Sequence, residues 1–343
     1  MMLKDSRVKK ASLKDMELDK ETLLEMYEVM LMARRVDERI WLLNRSGKIP
    51  FNISGQGQEG AQVASAFAFN REIDYTLPYY RDLAVVLAFG MTAKEVLLSA
   101  LGKAEDPNSG GRQMPAHYGH KAHRIVTQSS PVTTQFPHAA GIALAAKMRK
   151  DPIVAYTSCG EGSSNQGDFH EGINFARVHR LPVVFVIENN QYAISVPKEL
   201  QFAADKLSDR AIGYGIPGET VDGNDMVAVY LAFKRAVTRA RDGEGPTLIE
   251  TVTYRFTPHS SDDDDRSYRT REEVEAARGK DPLDIYFNQL LDEKVATQEE
   301  LDAIEARVKA EIQEATEYAE NAAAPAVETL GHHVYDEDTQ GGN

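Results

Sequence analysis

The chain has 343 residues, 42% of them hydrophobic and 8% aromatic, which is enough for one large α/β domain or two ordinary ones. Its formal net charge of −14 argues against nucleic acid as the main partner. The single cysteine, Cys159, excludes an internal disulfide and favours a reducing compartment. No apolar run is long enough to cross a bilayer, and residues 1–20 lack the apolar core of a signal peptide. We therefore expect a cytoplasmic protein that does not bind a membrane.

The N-terminal part of the chain predicts a polar arm over residues 1–18 and then a long helix. Asp19 is a suitable N-cap for that helix, and apolar residues from Leu23 to Ile40 recur at helical spacing. Gly47 is a suitable residue to end it. The polar segment 103–137 has little periodicity, and a loop of this length in a compact domain usually has a function.

Strands and helices alternate through the rest of the chain, which predicts an α/β fold: a mainly parallel sheet covered by helices on both faces, with helical extensions. We expect one domain over residues 19–325 and a loosely held C-terminal tail over 326–343. The further predicted elements are a small-residue helix opened by residues 55–59, a helix over about 138–150, a short helix from 203, a strand end at 221–222, a helix to about 241, a strand at 247–252 and charged helices over 271–322.

The most informative segment predicts one β-α-β unit. Residues 153–156 and 183–187 are short apolar runs that fit two buried strands, with a helical pattern between them. The first run leads to a glycine-acid-glycine turn that contains Glu161, and the second to an Asn-Asn pair that contains Asn190. Because neighbouring parallel strands end at the same edge of a sheet, we expect Glu161 and Asn190 to lie close together.

The chemistry of these two turns suits a metal ion and a diphosphate. A carboxylate from Glu161 and an amide oxygen from Asn190 are hard ligands for Mg²⁺ or Ca²⁺, which would also hold phosphate oxygens. Gly160 and Gly162 let backbone N–H groups approach those phosphates at a helix N-terminus. The alternative is a structural turn followed by an Asn-Asn loop, and the spacing together with both strands favours the metal site.

This pattern resembles the motif of thiamine diphosphate enzymes, with residues 163–188 as the spacer and Glu161 in place of the usual aspartate. Nearly the whole chain resembles the α subunit of the decarboxylating component of 2-oxoacid dehydrogenase complexes. Bacterial branched-chain 2-oxoacid dehydrogenases look most similar, with pyruvate and acetoin dehydrogenases as neighbours. The resemblance implies a thiamine diphosphate-binding fold. The other segments that carry it are 77–82, 111–117, 129–131 and 254–260.

By this resemblance, the divalent ion is bound by the side chains of Glu161 and Asn190 and by the carbonyl of Tyr192. Arg81 would pair with the cofactor diphosphate, a task suited to a planar and always charged side chain. The alternative for Arg81 is a salt bridge to Asp82 at the start of a helix.

The resemblance also assigns roles to residues around the cofactor. Tyr80 matches a second diphosphate contact, and Tyr79 falls where the side chain of the 2-oxoacid is sensed, so the pair would form an open aromatic wall. Ser130 would pack against the cofactor ring. His259, in an exposed polar loop, matches the histidine that helps the acyl group pass to lipoamide, a role that suits a group titrating near neutral pH.

Four further residues match a monovalent-ion site seen in branched-chain relatives, so K⁺ is a possible second ion. One position departs from the family, because Glu188 stands where some branched-chain relatives have an arginine that contacts the diphosphate. Ser260 aligns with a serine that is phosphorylated in animal relatives, and the serine alone does not imply a kinase. The monovalent-ion residues are Ser129, Pro131, Thr134 and Gln135.

The resemblance implies oxidative decarboxylation of a 2-oxoacid and reductive acylation of lipoyl groups on the acyltransferase core. Because the half-domain that supplies the activating carboxylate is missing, we expect a β subunit to complete the site in an α2β2 heterotetramer. The alternatives are a pyruvate or acetoin dehydrogenase subunit, a transketolase half or a non-catalytic assembly subunit. The loop 258–261 argues against a transketolase, and the intact Glu161, Asn190, Arg81 and His259 argue against a non-catalytic subunit.

Overall fold

The structure, a computed structural model, describes residues 11–332 and Val334. The strands are β1 (Tyr75–Leu77), β2 (Ala155–Gly160), β3 (Val183–Asn189), β4 (Tyr192–Ala193), β5 (Val196–Pro197), β6 (Gly218–Asp222) and β7 (Thr247–Val252). One five-stranded sheet has the order β1-β2-β3-β7-β6, and all of its neighbours pair in parallel. β4 and β5 form a separate antiparallel hairpin.

Helices surround this sheet. The α-helices are α1 (Lys20–Arg45), α2 (Glu59–Phe67), α3 (Leu83–Ala88), α4 (Ala93–Ala100), α5 (Gln135–Arg149), α6 (Gly167–Val178), α7 (Arg210–Tyr214), α8 (Met226–Arg241), α9 (Arg271–Arg278), α10 (Pro282–Asp292) and α11 (Gln298–Asn321). Short 3-10 helices are Leu13–Met16, Gly162–Asn165, Lys198–Leu200, Leu207–Asp209, Asp265–Ser267 and Val327–Gly331.

The central strand β3 shows why helices cover both faces of the sheet. All seven of its residues are buried. Because successive strand side chains point to opposite faces, Phe185 and Ile187 belong to the core that includes residues of α5 and α6, whereas Val184 and Val186 belong to the core that includes residues of α8. A strand buried on both faces requires a continuous apolar run, and this confirms the predicted fold class.

The long N-terminal helix α1 has the predicted caps. The side chain of Asp19 accepts a hydrogen bond from the backbone N–H of Thr22 at 2.8 Å. The helix ends at Arg45, and Gly47 has a φ of +75°, a left-handed conformation that favours glycine. Local capping chemistry thus determines both ends.

Two local predictions need correction, and one strand was not predicted. β1 was not expected, because three residues are too few for a periodic pattern. Helix α5 begins at Gln135 and not near residue 138, after a turn in which Thr133 has a φ of +69°. No α-helix starts at residue 203; the helical segment begins at Leu207, where the carboxylate of Glu250 accepts backbone N–H bonds from Leu207 at 2.9 Å and Ser208 at 3.2 Å.

The chain ends are less detached than expected where they are described. Leu13 and Met16, within the predicted arm, are fully buried in the main core. In the predicted tail, the carbonyl of Thr329 accepts a hydrogen bond from Arg112 at 2.9 Å. Residues 1–10, 333 and 335–343 of the arm and the tail lie outside the described residues. No helix in the described part of the chain is long and apolar enough to cross a membrane.

Candidate active site

A cavity of about 350 Å³ lies at the carboxyl ends of β2 and β3. It brings together every residue that was predicted to contact the cofactor, the divalent ion or the substrate. The four predicted monovalent-ion residues are not in its wall. The residues lining the cavity are Tyr79, Tyr80, Arg81, Ser130, Val132, Gly160, Glu161, Gly162, Ser163, Gln166, Asn190, Tyr192, Ala193, Ile194 and His259.

The two turns meet because the strands are in register. Gly160 pairs with Glu188, so β2 and β3 end at the same level of the sheet. A Cβ on Gly162 would lie 2.4 Å from the Cβ of Ala193, and this close approach of the β4–β5 hairpin excludes any larger residue. Gly162 opens a four-residue 3-10 helix, and α6 starts only at Gly167, so the expected helix N-terminus is a 3-10 turn.

Glu161 is a buried carboxylate without a cationic partner. Glu161 is 1% exposed. Its carboxylate accepts hydrogen bonds from the backbone N–H of Asn190 and from Nε2 of Gln201, each at 3.2 Å. No ion pair to Glu161 is found within the described part of the chain. Burial raises the pKa of this carboxyl. Hydrogen bonds and the charge of Arg255 offset this rise in pKa only in part, so a bound cation would compensate a carboxylate that has no ion pair.

Asn190 and Tyr192 offer the other two predicted ligand oxygens. Nδ2 of Asn190 is 3.4 Å from Oε1 of Gln58, which orients the amide, and Oδ1 accepts from the Tyr192 N–H at 3.4 Å. The Tyr192 carbonyl accepts from Nη1 of Arg255 at 3.2 Å. Among residues 11–332 and Val334, no cluster of three His, Cys, Asp or Glu side chains could hold a metal. An ion here would need amide, carbonyl and phosphate oxygens, and this donor set suits Mg²⁺.

Arg81 is a buried guanidinium that faces the cavity without a carboxylate partner. It is 2% exposed and donates to the carbonyls of Ser54 at 2.7 Å and His259 at 2.9 Å. The alternative salt bridge to Asp82 is not formed, because Asp82 accepts from the Tyr79 N–H and the Ser158 hydroxyl. A buried cation beside the cavity fits a diphosphate.

The contact with Arg81 fixes the state of His259. Nη2 of Arg81 lies 3.0 Å from Nδ1 of His259, and because a guanidinium can only donate, Nδ1 accepts and Nε2 carries the proton. Burial, followed by the charges of Arg81 and Arg255, lowers the pKa of His259 to about 4. The loop is less exposed than predicted, since His259 is half-buried and Ser260 is buried. His259 is thus a neutral N–H donor at pH 7.

The two tyrosines form a wall that is less open than predicted. Their ring centroids are 5.0 Å apart, and Tyr80 lies 5.2 Å from the Arg81 guanidinium carbon. Tyr79 is only 3% exposed, and its hydroxyl lies 3.3 Å from both Gln58 Oε1 and Glu188 Oε2. Tyr79 therefore presents ring surface, and not its hydroxyl, to the cavity.

Glu188 points away from the cavity into a buried polar layer. Its carboxylate accepts from Nε2 of Gln62 at 3.0 Å. Burial raises the pKa values of both Glu188 and the neighbouring Asp82. The charge of Glu188 raises the pKa of Asp82 further. The residue that departs from the family pattern therefore adds no carboxylate to the cavity wall.

The loop before α5 holds the remaining predicted residues. Oγ of Ser130 is 2.8 Å from Nε2 of His117. The Pro131 carbonyl accepts hydrogen bonds from Oγ of Ser129 at 3.2 Å and from Oγ1 of Thr134 at 3.1 Å. Three of the four residues predicted to bind the monovalent ion are therefore adjacent. Gln135 instead donates to the Ser158 carbonyl at 2.7 Å.

Sequence reasoning missed Arg255, which connects two loops of the site. It is fully buried and donates to the carbonyls of Tyr192 at 3.2 Å and Ile194 at 2.8 Å. It also donates to the hydroxyl of Tyr268 at 2.9 Å. The available signal was an arginine placed between two aromatic residues immediately after a predicted strand.

Comparison with known proteins agrees with this geometry. Residues 27–328 match the family model described as dehydrogenase E1 component. The chain is 62% identical over 312 residues to a 2-oxoisovalerate dehydrogenase subunit alpha of Bacillus subtilis (strain 168), covering 91% of this chain and 94% of that protein. It is 42% identical over 327 residues to a pyruvate dehydrogenase E1 component subunit alpha of Staphylococcus aureus (strain Mu50), covering 94% of this chain and 85% of that protein. The chain therefore belongs to the dehydrogenase E1 component family.

Proposed function

We propose that this chain is the α subunit of a 2-oxoisovalerate (branched-chain 2-oxoacid) dehydrogenase, which decarboxylates the oxoacid and acylates lipoyl groups. The observation that carries this proposal is the cavity in which Glu161, Asn190, Arg81 and His259 converge. The substrate class follows from 62% identity to the Bacillus relative, against 42% to the pyruvate relative, each over more than nine-tenths of the chain.

Thiamine diphosphate is the cofactor that membership of the E1 family implies. When bound, it supplies the electron sink for decarboxylation, and the protein supplies binding and orientation. Glu161, Asn190 and the Tyr192 carbonyl would hold Mg²⁺, and Arg81 and Tyr80 would contact the diphosphate. Gly160 and Gly162 leave the backbone accessible beside it. Ser129, Pro131, Thr134 and Gln135 are the candidate ligands for K⁺.

The protein groups around the cofactor do three things in this proposal. Arg81 offers a fixed positive charge that needs no reorganisation, since two carbonyls already hold it. His259 would present its Nε2–H to the acyl group during transfer to lipoamide. Ser130 packs beside the cofactor ring, and the Tyr79 ring restricts the space next to Gly160, where the oxoacid side chain would lie.

An E1 α subunit implies a β subunit and a multienzyme complex. Glu161 is the only carboxylate among the residues that line the cavity in the described structure, and it is assigned to the metal. The carboxylate that activates the cofactor would therefore come from the β subunit, across the interface of an α2β2 heterotetramer. The acyl acceptor would be the lipoyl domain of the acyltransferase core.

The experiment is to measure kcat/KM for 2-oxoisovalerate, 4-methyl-2-oxopentanoate, pyruvate and acetoin, with the α chain alone and with α and β together. We expect activity only with both chains and a preference for branched oxoacids of about 10–200-fold, the range that one methylene group gives in an apolar pocket. Activity of the isolated α chain would reject the shared site. A preference for pyruvate or acetoin would reject the substrate assignment.

A further inference from the structure

Helix α9 is attached to the body of the protein mainly by polar contacts. None of its eight residues is buried. Short helices depend on tertiary packing of an apolar face for most of their stability, and this helix has little such packing. Its side-chain contacts with the body include Arg278, whose guanidinium carbon lies 5.0 Å from the Phe256 ring centroid, and the carboxylate of Glu273, which accepts two hydrogen bonds at 2.8 Å.

Glu273 receives two hydrogen bonds at one oxygen. The hydroxyls of Tyr192 and Tyr254 each donate to Oε1 of Glu273 at 2.8 Å. Glu273 itself is exposed, and the two hydroxyls converge on one of its carboxylate oxygens.

An ordinary capping role does not explain this carboxylate. Thr270 is the N-cap of α9 and accepts a hydrogen bond from the backbone N–H of Glu273 at 3.2 Å. In a capping box, the carboxylate at this third position returns to the N–H of the cap residue. In α4 and α11 that reciprocal bond is made. In α9 the carboxylate turns to the tyrosines.

The two tyrosines belong to two segments that contribute residues to the cavity wall, the β4–β5 hairpin and the segment that contains His259. Tyr192 begins the β4–β5 hairpin, and its carbonyl is a proposed metal ligand. Its ring lies 5.8 Å from the guanidinium carbon of Arg255 and 5.7 Å from that of Arg269. Tyr254 immediately precedes Arg255, at the start of the segment that leads to His259. Glu273 thus joins both segments to α9.

We propose that Glu273 is a positioning residue of the metal site: by holding the Tyr192 side chain, it fixes the hairpin and so the Tyr192 carbonyl beside Glu161 and Asn190. This inference rests on the proposed function, because it takes that carbonyl as a metal ligand. Glu273 does not line the cavity, so it acts only through Tyr192 and Tyr254.

The test compares Glu273→Ala and Glu273→Gln with Glu275→Ala, in the complex of α with β. Glu275 is exposed and lies on the opposite side of the same helix, so it is a matched control. Calorimetry gives the Kd of Mg²⁺ in the presence of thiamine diphosphate. Loss of a residue that orients a ligand typically costs 10–100-fold in metal affinity. We expect about a tenfold increase in Kd for Glu273→Ala, a smaller increase for Glu273→Gln, which keeps an acceptor, and no change for Glu275→Ala.

Amide hydrogen exchange of residues 190–196, measured without metal, separates this inference from the proposed function. Faster exchange in Glu273→Ala, with unchanged exchange in the control, supports the positioning role even if Mg²⁺ is not the ion. Wild-type exchange and wild-type Mg²⁺ affinity in Glu273→Ala would overturn it. If that variant does not fold, Tyr192→Phe combined with Tyr254→Phe removes the same two hydrogen bonds and must produce the same effects, and wild-type behaviour of this pair would also overturn the inference.

Discussion

Replacing Glu161 with glutamine should leave the stability of the metal-free protein nearly unchanged and should weaken metal binding. The buried carboxylate has two neutral hydrogen-bond donors and no cationic partner in the absence of a metal. A glutamine keeps the shape and can accept only one of these bonds well, a loss of about 1 kcal/mol. Removing an uncompensated buried charge offsets that loss. We therefore expect the free energy of unfolding of metal-free Glu161→Gln to lie within about 1 kcal/mol of the wild-type value.

The pH dependence gives the sign of the charge effect. Burial raises the pKa of folded Glu161 above its ordinary value of 4.5. The stability that this group contributes is fully present below its unfolded pKa and is lost as the pH rises through the folded pKa. Relative to wild type, metal-free Glu161→Gln should therefore become more stable as the pH is raised from 4 to 8. Urea denaturation at both pH values measures this difference.

The same substitution should weaken metal binding. Loss of the charged ligand should weaken Mg²⁺-dependent cofactor binding at least about tenfold, or 1.4 kcal/mol. Glu250→Gln is a matched control, because Glu250 is also buried, outside the cavity, and accepts hydrogen bonds from Asn189, Leu207, Ser208 and Thr220. It should lower stability by about 1–3 kcal/mol and leave Mg²⁺ affinity unchanged. Equal Mg²⁺ affinity in Glu161→Gln and wild type would refute the metal assignment.

Three further substitutions test other parts of the structure. Asn190→Ala should weaken Mg²⁺-dependent cofactor binding at least about tenfold by calorimetry, and unchanged affinity would remove this residue from the site. His259→Ala should keep the fold, since the backbone carbonyl still accepts from Arg81, and should impair lipoamide acylation more than decarboxylation with an artificial acceptor; equal losses would contradict a role in acyl transfer. Arg34→Met leaves Glu59 and Asp281 without their buried partner and should cost about 3–5 kcal/mol in urea denaturation; a loss below about 1 kcal/mol would show that these carboxylates find other compensation.

Local chemistry determined much of the fold and the centre of the site. Helix α1 begins and ends where Asp19 and Gly47 predict, and β7 has the predicted bounds. Each of these features depends on residues within a few positions of one another, which is the distance over which capping and strand periodicity act. The convergence of Glu161 and Asn190 also follows from sequence, because parallel pairing of two strands places both strand ends at one edge.

Contacts between distant parts of the chain decided the rest. The proton position on His259 follows from Arg81, 178 residues away. The hydroxyl of Tyr192 donates to Glu273, 81 residues away. Burial of Leu13 and Met16 depends on helices that come much later in the chain. Such contacts leave no periodic signal in the sequence, because packing brings the partners together only after the elements have formed. The sequence and its family resemblance therefore indicated which residues form the candidate site, whereas tertiary structure decided how those residues are oriented and charged.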